Sequence, residues 1–246
     1  MIDMHCHIIP NVDDGSKNIN ETIEMAKRAM QSGYSGIFAT SHFIDKNYGT
    51  KKDDVENSVF VINKILKEKN IGIELYTGNE VYYSDNIVEL IEEKKVCTLA
   101  GSKYVLFELP MSGIPLGFNN EINKMLRIGY IPIIAHPERY EFTTKKFKIL
   151  QPLIKDGVLL QCNIGSIVGR YGKTAQKNLL NLLKHNMVHL FGTDAHSPRN
   201  AYDDFDKATK KIKKIVGEKR FNEIFEKLPN AILKDEVVSV WDPSLK

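Results

Sequence analysis

The strongest constraint on the fold of this chain is a regular alternation of short apolar runs with amphipathic stretches. The apolar runs are IDMHCHII, SGIFATSH, IELYTGNEV, KYVLFELP, YIPIIAHPE, VLLQCNIGS and MVHLFGTDAH. Several are apolar almost throughout, which is typical of parallel strands that are buried on both faces. The stretches between them have helical periodicity, so the sequence predicts a series of strand–helix units.

The positions of the helices can also be predicted. Longer helices with apolar residues three and four positions apart are expected over residues 20–32, 54–69 and 174–185. A shorter helix is expected after Ser84, which is a good capping residue. Pro152 should kink or split the helix around it, because proline cannot donate a backbone hydrogen bond. We expect the segment after Asp194 to be helical and irregular and to pack outside the sheet.

About seven strand–helix units with parallel connections favour a closed or nearly closed barrel. A doubly wound open sheet has the same periodicity, and the periodicity does not choose between the two. The length of 246 residues fits one domain, because α/β barrels often contain ~200–250 residues in a single unit. No Gly/Ser-rich linker or change in composition divides the chain, so a single domain over residues 1–246 is predicted.

Composition argues against several classes of partner. The formal net charge of +3 is small, so no nucleic-acid or membrane-surface binding is predicted. The first residues lack the pattern of a signal peptide, and no apolar run approaches the ~18–20 residues of a membrane span. The cysteines are odd in number, widely spaced and without a CxxC pair, so disulfides are not expected. A cytoplasmic location is therefore predicted. They are Cys6, Cys97 and Cys162.

Histidine and carboxylate side chains stand where the predicted strands end. In α/β proteins, functional residues gather at the carboxyl ends of the strands. His5 and His7 are two positions apart in a strand and therefore point to the same side, as do Asp194 and His196. With the pair DD that follows the first run, the candidate metal ligands are His5, His7, Asp13, Asp14, His42, Glu80, Glu108, His136, Asp194 and His196.

These side chains suit Zn, Mn or Fe, and the many oxygen atoms favour a harder ion such as Mn. They outnumber the about four to six ligands of one ion, so two or three ions are expected. Sites with ions ~3.5–4 Å apart are typical of phosphoester hydrolysis. A single histidine such as His42 or His136 is more often structural, but ligand types at nearly every strand end favour a site. His185 and His189 fall outside this pattern and are predicted to be structural.

Arg139 follows a candidate ligand directly in AHPER, and its planar guanidinium matches two phosphate oxygens. The alternative is a salt bridge with Glu138 or Glu141. Arg199 is a second, weaker candidate for phosphate binding, or else a solvated loop residue. The sequence has no cysteine-nucleophile phosphatase loop, GxxxxGK[ST], GxSxG or helix-opening GxGxxG motif. A metal-bound hydroxide is therefore the expected nucleophile.

The order of the motifs HxH, DDG, SH, GNE, FELP, AHPER and TDAH resembles the PHP (polymerase and histidinol phosphatase) superfamily. Within it, MIDMHCHIIPNVDDGS, YTGNEVYY, YVLFELP, YIPIIAHPERY and FGTDAH are similar to the bacterial manganese-dependent protein-tyrosine phosphatases of capsule and exopolysaccharide gene clusters. The resemblance covers nearly the whole chain and is loose only after about residue 200. It implies a distorted (β/α)7 TIM-like barrel of the PHP fold.

The resemblance also implies three Mn²⁺ ions and their ligands, although Zn, Fe or Co would suit the same atoms. One ion would be held by His5, His7, Glu80 and Asp194, a second by Glu80, Glu108 and His136, and a third by Asp14, His42 and His196. Asp13 would be a neighbour of this site and not a ligand. Arg139 would bind phosphate, and Arg199 is an approximate match to the family's second arginine because the loop before it is shorter.

The activity implied by the resemblance is hydrolysis of phosphotyrosine on a protein, with the tail of a bacterial tyrosine kinase that controls polysaccharide synthesis as partner. A phenolate of pKa ~10 is a tolerable leaving group, so a strong general acid is less necessary. One alternative is a small-molecule phosphatase of the histidinol-phosphate type, or a nuclease, from the same superfamily. Another is a non-catalytic scaffold domain with a degenerate PHP fold.

Overall fold

The computed structural model describes residues 1–45, 48–49, 51–199, 202–238, 241 and 243. The strands are β1 (Ile2–Cys6), β2 (Gly36–Ile44), β3 (Tyr48–Gly49), β4 (Glu74–Tyr82), β5 (Tyr104–Glu108), β6 (Ile131–Ala135), β7 (Leu159–Asn163) and β8 (Leu190–Gly192). Parallel strands form a sheet with the order β1-β2-β4-β5-β6-β7-β8, and the two-residue β3 pairs antiparallel with the end of β2. Each of the seven predicted apolar runs overlaps one of the parallel strands.

The sheet closes on itself between its last and first strands. The backbone N–H of Asp194, just after β8, donates to the carbonyl of His5 in β1 over 2.8 Å. The carboxylate of Asp3 spans the same seam, because it accepts from the backbone N–H of Thr193 (2.8 Å) and from its hydroxyl (2.6 Å). Burial raises the pKa of Asp3 to about 6 against the lowering effect of these hydrogen bonds. The closed contact decides for the barrel and against the doubly wound open sheet.

The predicted longer helices are present, with ends shifted by one or two residues. The helices are α1 (Ile19–Gln31), α2 (Lys52–Glu68), α3 (Ile87–Glu92), α4 (Phe118–Arg127), α5 (Glu141–Lys146), α6 (Leu150–Lys155), α7 (Gly172–Lys184), α8 (Phe205–Val216), α9 (Glu218–Asn222) and α10 (Leu228–Leu233). The predicted cap at Ser84 is wrong, because α3 begins after Asn86 instead. The chain around Pro152 is split as predicted: α6 begins at Leu150, which leaves the proline in the first turn, where no intrahelical hydrogen bond is lost.

The half of the barrel interior near the strand starts is apolar. It contains Ile2, Met4, Phe38, Tyr104, Leu106, Ile133, Leu159 and Leu190. Leu228 and Ile232 of α10 join this cluster, and both are nearly inaccessible to solvent. The prediction that the segment after Asp194 packs outside the sheet is therefore wrong for α10. An open barrel end would leave apolar side chains in water, and α10 covers it.

A second and larger core fills the space between the barrel and its surrounding helices. Met25, Leu66 and Leu182, from α1, α2 and α7, are fully buried in it. The three cysteines are free thiols and buried. Among the helices of the described residues, none has the length and apolar character needed to cross a bilayer.

Candidate metal centre

The structure places all nine ligands of the predicted three-ion set at the carboxyl end of the barrel. Six of them are buried: His5, His7, Glu80, Glu108, His136 and Asp194. Three lie at the rim, where the side chain of Asp14 is 66% exposed, that of His196 33% and that of His42 17%. The barrel interior thus changes from apolar at one end to ionisable at the other.

The possible ligand atoms form three overlapping groups, and in each group they lie within 4.8 Å of one another. The groups are His5, His7, Glu80 and Asp194; His7, Asp14, His42 and His196; and His42, Glu80 and Glu108. The first is the set that the family resemblance implies. His136 is nearest to Glu80, at 2.8 Å, and 3.8 Å from Glu108, so it adjoins the third group. The resemblance assigns His7 and His42 to one ion each, but in the structure each of them belongs to two groups.

Protein acceptors fix the orientation of several imidazole rings. Each acceptor faces an Nδ1 atom: Gln161 Oε1 faces His5 (2.8 Å), Asp13 Oδ2 faces His7 (2.8 Å) and the Asp194 carbonyl faces His196 (3.0 Å). An Nδ1–H that donates in this way leaves the Nε2 lone pair free to face the centre. Histidines that bind metals are usually held by a second hydrogen bond of this kind. Asp13 lies behind His7, as expected of a neighbour of the site.

The electrostatics of the centre favour a bound cation. Burial lowers the pKa of His5, but the carboxylates of Glu80 and Asp194 outweigh it and raise that pKa to about 9. Burial, and then the charge of Glu80, raises the pKa of Glu108 to about 7. In the described part of the chain, Glu80 Oε2, His42 Nδ1 and His136 Nδ1 are buried without a hydrogen-bond partner. Buried polar atoms without partners are costly, and a metal ion would satisfy Glu80 Oε2 and His42 Nδ1, which belong to one ligand group, so these residues fit a metal.

The backbone is constrained at this end of the barrel. His136 and Asp194 adopt left-handed conformations, with φ of 34° and 54°, which are uncommon for residues other than glycine and concentrate at functional sites. Gly192 and Gly15 pack directly against the histidine pair. A Cβ on Gly192 would lie 2.4 Å from His5 Cβ, and one on Gly15 would lie 2.5 Å from His7 Cβ. Only a hydrogen atom fits at either position.

Arg139 lies beside the centre. Its Nη1 donates to Asp194 Oδ2 over 2.6 Å, and its side chain is 28% exposed. The alternative ion pair with Glu138 or Glu141 is not found among the described residues. Glu138 is fully buried and accepts from the Ser166 hydroxyl. The guanidinium is therefore held at the edge of the ligand cluster, partly exposed to solvent.

The other predicted residues lie elsewhere. Arg199 is exposed in the segment after β8, and it forms no hydrogen bond or ion pair with the residues that the structure describes. His189 precedes β8, and its Nδ1 accepts from the backbone N–H of Leu160. His185 ends α7 and bonds the carbonyl of Asn181. The structural roles predicted for the two histidines are confirmed.

Comparison with known proteins adds the family. The sequence pattern of the family described as "Capsular polysaccharide synthesis, CpsB/CapC" matches residues 1–234. The chain belongs to the CpsB/CapC family. It is 36% identical to the putative tyrosine-protein phosphatase CapC of Staphylococcus aureus, over 81% of this chain and 78% of that protein. It is 32% identical to the tyrosine-protein phosphatase YwqE of Bacillus subtilis, over 80% and 78% of the two chains.

Solved structures agree with this assignment. A structure described with YwqE of Bacillus subtilis and CpsB of Streptococcus pneumoniae, as unique metal-dependent tyrosine phosphatases, superposes with a TM-score of 0.94. It shares 28% identity and covers 100% of both chains. An amidohydrolase from Mycoplasma synoviae has a TM-score of 0.62 at 14% identity over 95% and 87% of the chains, which shows only a shared fold. The expected PHP-type barrel is confirmed for this CpsB/CapC member.

Sequence reasoning missed some polar residues that support the centre of this family member. Gln161 holds His5, and Asn163 Nδ2 donates to Asp194 Oδ2 over 2.7 Å. Both are fully buried in β7. The available signal was two polar residues in the otherwise apolar run VLLQCNIGS, at alternate positions and hence on one face of the strand. The glycines of DDG and FGTDAH were likewise part of the motifs without an assigned role.

Proposed function

We propose that this chain is a metal-dependent protein-tyrosine phosphatase that hydrolyses phosphotyrosine in a protein substrate. The observation that carries the proposal is the position of Arg139, a cation fixed against Asp194 at the edge of a cluster of metal-ligand side chains. The names of the relatives at 28–36% identity support the same activity. A site that combines ligands for cations with an arginine suits an anionic substrate.

The proposed metal ligands are His5, His7, Asp14, His42, Glu80, Glu108, His136, Asp194 and His196. The three overlapping groups support three ions. Manganese is proposed because the set is rich in carboxylate oxygens, and Zn, Fe or Co would suit the same atoms. When bound, such ions would supply Lewis acidity and a nucleophile at neutral pH.

The side chains of this chain have separate tasks in the proposed reaction. Arg139 binds two oxygens of the phosphate and neutralises their negative charge. Asp194 holds the guanidinium in place, while Gln161 and Asp13 keep the Nδ1 protons of His5 and His7 on the side away from the substrate. The leaving phenolate has a pKa of ~10, so its departure needs less help from an acid than an alkoxide would.

The physiological partner is proposed to be the phosphorylated tail of a bacterial tyrosine kinase that regulates capsular or extracellular polysaccharide synthesis. The family description, which names capsular polysaccharide synthesis, supports this context. A cytoplasmic location is proposed with it, because a kinase tail would be phosphorylated where ATP is available.

The test compares the Mn-loaded protein on p-nitrophenyl phosphate, a phosphotyrosine peptide and histidinol phosphate. We expect turnover of the first two, loss of turnover with EDTA and recovery on addition of Mn²⁺. Arg139→Ala should lower kcat/KM about 10²–10³-fold, as the loss of one charge-stabilising donor does in other enzymes. Arg127→Ala, an exposed arginine on α4, is the matched control, and Arg199→Ala reports whether that residue meets phosphate.

Activity that is indifferent to EDTA, or a preference for histidinol phosphate, would contradict the proposal. If Arg139→Ala had the same kcat/KM as Arg127→Ala, Arg139 would have no role in binding phosphate. Fewer than one bound metal ion per chain after purification with Mn²⁺ would favour the non-catalytic scaffold.

A further inference from the structure

Tyr171 is an aromatic residue beside the metal centre that is neither a metal ligand nor a hydrogen-bond partner of one. It follows the 3-10 turn Ile164–Val168 and directly precedes α7, on the connection that leaves the carboxyl end of β7. The guanidinium carbon of Arg139 lies over the face of its ring, 4.8 Å from the ring centroid. Arginine stacks on aromatic faces through its flat, weakly hydrated cation.

Arg139 is held from two directions by this arrangement. Asp194 Oδ2 accepts its Nη1 over 2.6 Å, and the same oxygen accepts Asn163 Nδ2 over 2.7 Å, so the carboxylate is itself fixed. The Tyr171 ring lies against the face of the guanidinium. Its hydroxyl donates to the carbonyl of Thr193 over 3.4 Å, a long and weak hydrogen bond, so the ring face is the main contact.

The two contacts leave most of the donors of Arg139 available. A guanidinium has five N–H groups, and within the described residues only one of its nitrogens has a hydrogen-bond acceptor. An arginine without the ring would keep one anchored nitrogen but could turn about that bond. The ring removes this freedom before the substrate arrives, which reduces the entropy lost on binding.

We propose that Tyr171 is a positioning residue that holds Arg139 in the orientation in which its remaining N–H groups meet the phosphate. This inference rests on the proposed function, because it takes Arg139 to be the phosphate ligand. The contact acts through the ring face, so phenylalanine should replace tyrosine and an aliphatic residue should not. Because the arginine would meet the phosphate in the bound substrate and in the transition state alike, the loss should be in KM more than in kcat.

The experiment compares Tyr171→Leu and Tyr171→Phe with the wild-type protein. Tyr130→Leu is the matched control, since Tyr130 is also partly buried but lies just before β6, at the opposite end of the barrel. KM and kcat are measured with a phosphotyrosine peptide, and the inhibition constant with orthophosphate. Bound manganese and the thermal midpoint are measured on the same samples.

We expect Tyr171→Leu to raise both KM and the orthophosphate inhibition constant about 5- to 20-fold, with kcat within about twofold. Tyr171→Phe and Tyr130→Leu should stay within about twofold of wild type on each, and bound manganese should not change. In an Arg139→Ala background, Tyr171→Leu should have no further effect on KM, because the two residues act through one contact. If Tyr171→Leu does not fold, Tyr171→Met takes its place.

An unchanged KM and inhibition constant in Tyr171→Leu would overturn the inference, as would a phenylalanine variant as weak as the leucine one. A full additional effect in the Arg139→Ala background would overturn it as well. A lower thermal midpoint with unchanged KM would assign Tyr171 to the start of α7 only. Failure of the wild-type protein to hydrolyse phosphotyrosine is a different result, because it would refute the proposed function itself.

Discussion

Replacing Gly192 by alanine should displace His5 from its position in the metal centre. A Cβ at Gly192 would be 2.4 Å from His5 Cβ and 2.8 Å from His5 N, whereas ordinary contacts begin at 3.4 Å. The strand ends must therefore move apart by about 1 Å. The hydrogen bond from Asp194 N to His5 O would lengthen from 2.8 Å to about 3.8 Å, beyond the usual limit. The added methyl group thus opens the seam that closes the barrel.

The size of the effect follows from this displacement. Overpacking of a close-packed interior costs about 1–3 kcal/mol in the free energy of unfolding. A reacting group that is misplaced by about 1 Å can lower the rate about 10²-fold. We therefore expect Gly192→Ala to fold, to lose about 1–3 kcal/mol of stability in urea unfolding, and to have a phosphatase kcat/KM about 10²-fold below wild type.

Gly113→Ala is the matched control for this variant. A Cβ at Gly113 meets nothing within 4 Å, and the backbone there has no positive φ that would strain an alanine. This control should have wild-type activity and equal or slightly higher stability, because alanine reduces the freedom of the unfolded chain. If Gly192→Ala and Gly113→Ala agree within twofold in kcat/KM and within experimental error in stability, the close approach at His5 has no consequence and the reasoning fails.

Three further perturbations test other parts of the structure. Asp13→Asn should weaken manganese binding about 10- to 100-fold in a metal titration, because an amide has one oxygen and cannot accept from His7 Nδ1, Gly15 N and His42 N together. Unchanged affinity would contradict this. Burial, with the charge of Arg220, lowers the pKa of His189 to about 3. The unfolded chain therefore binds the proton more tightly, and the free energy of unfolding should fall by up to ~1.4 kcal/mol per pH unit from pH 6.5 towards 3. In His189→Gln, the free energy measured by urea unfolding should depend less on pH in that window. Leu228→Ala should lower the free energy of unfolding by about 2–5 kcal/mol and leave kcat within about twofold of wild type. A larger loss of kcat would show that α10 does more than cover the distant end of the barrel.

Much of the fold could be predicted because the barrel imposes a regular pattern on the sequence. Each parallel strand is an apolar run, and its final residues must face the ligand end, so His42, Glu80 and Glu108 could be assigned to one place before any coordinates. The closure of the barrel could not be predicted in this way. It depends on Asp3 and Thr193, which are 190 residues apart, and neither residue alone signals the other.

The details of the centre were less predictable because they depend on side-chain direction. Spacing shows that His5 and His7 share a side, but not that Gln161 and Asp13 take their Nδ1 protons. The sequence offers Glu138 and Glu141 as neighbours that could pair with Arg139, whereas the barrel brings Asp194 to it from another strand end. The place of α10 escaped prediction for a similar reason: an amphipathic helix buries its apolar face equally well against either core.

Asp194 divides its carboxylate between two environments, with Oδ1 near His5 and His7 and Oδ2 bonded to Arg139. A bound phosphate would share the positive charge of Arg139, so that less of this charge is neutralised by Asp194. The Asp194 carboxylate would then attract a metal cation more strongly. Binding of phosphate and binding of metal are then linked, and linkage is reciprocal: each must change the affinity of the other by the same factor. The affinity for Mn²⁺ should accordingly vary with phosphate concentration, and Arg139→Ala should reduce that dependence.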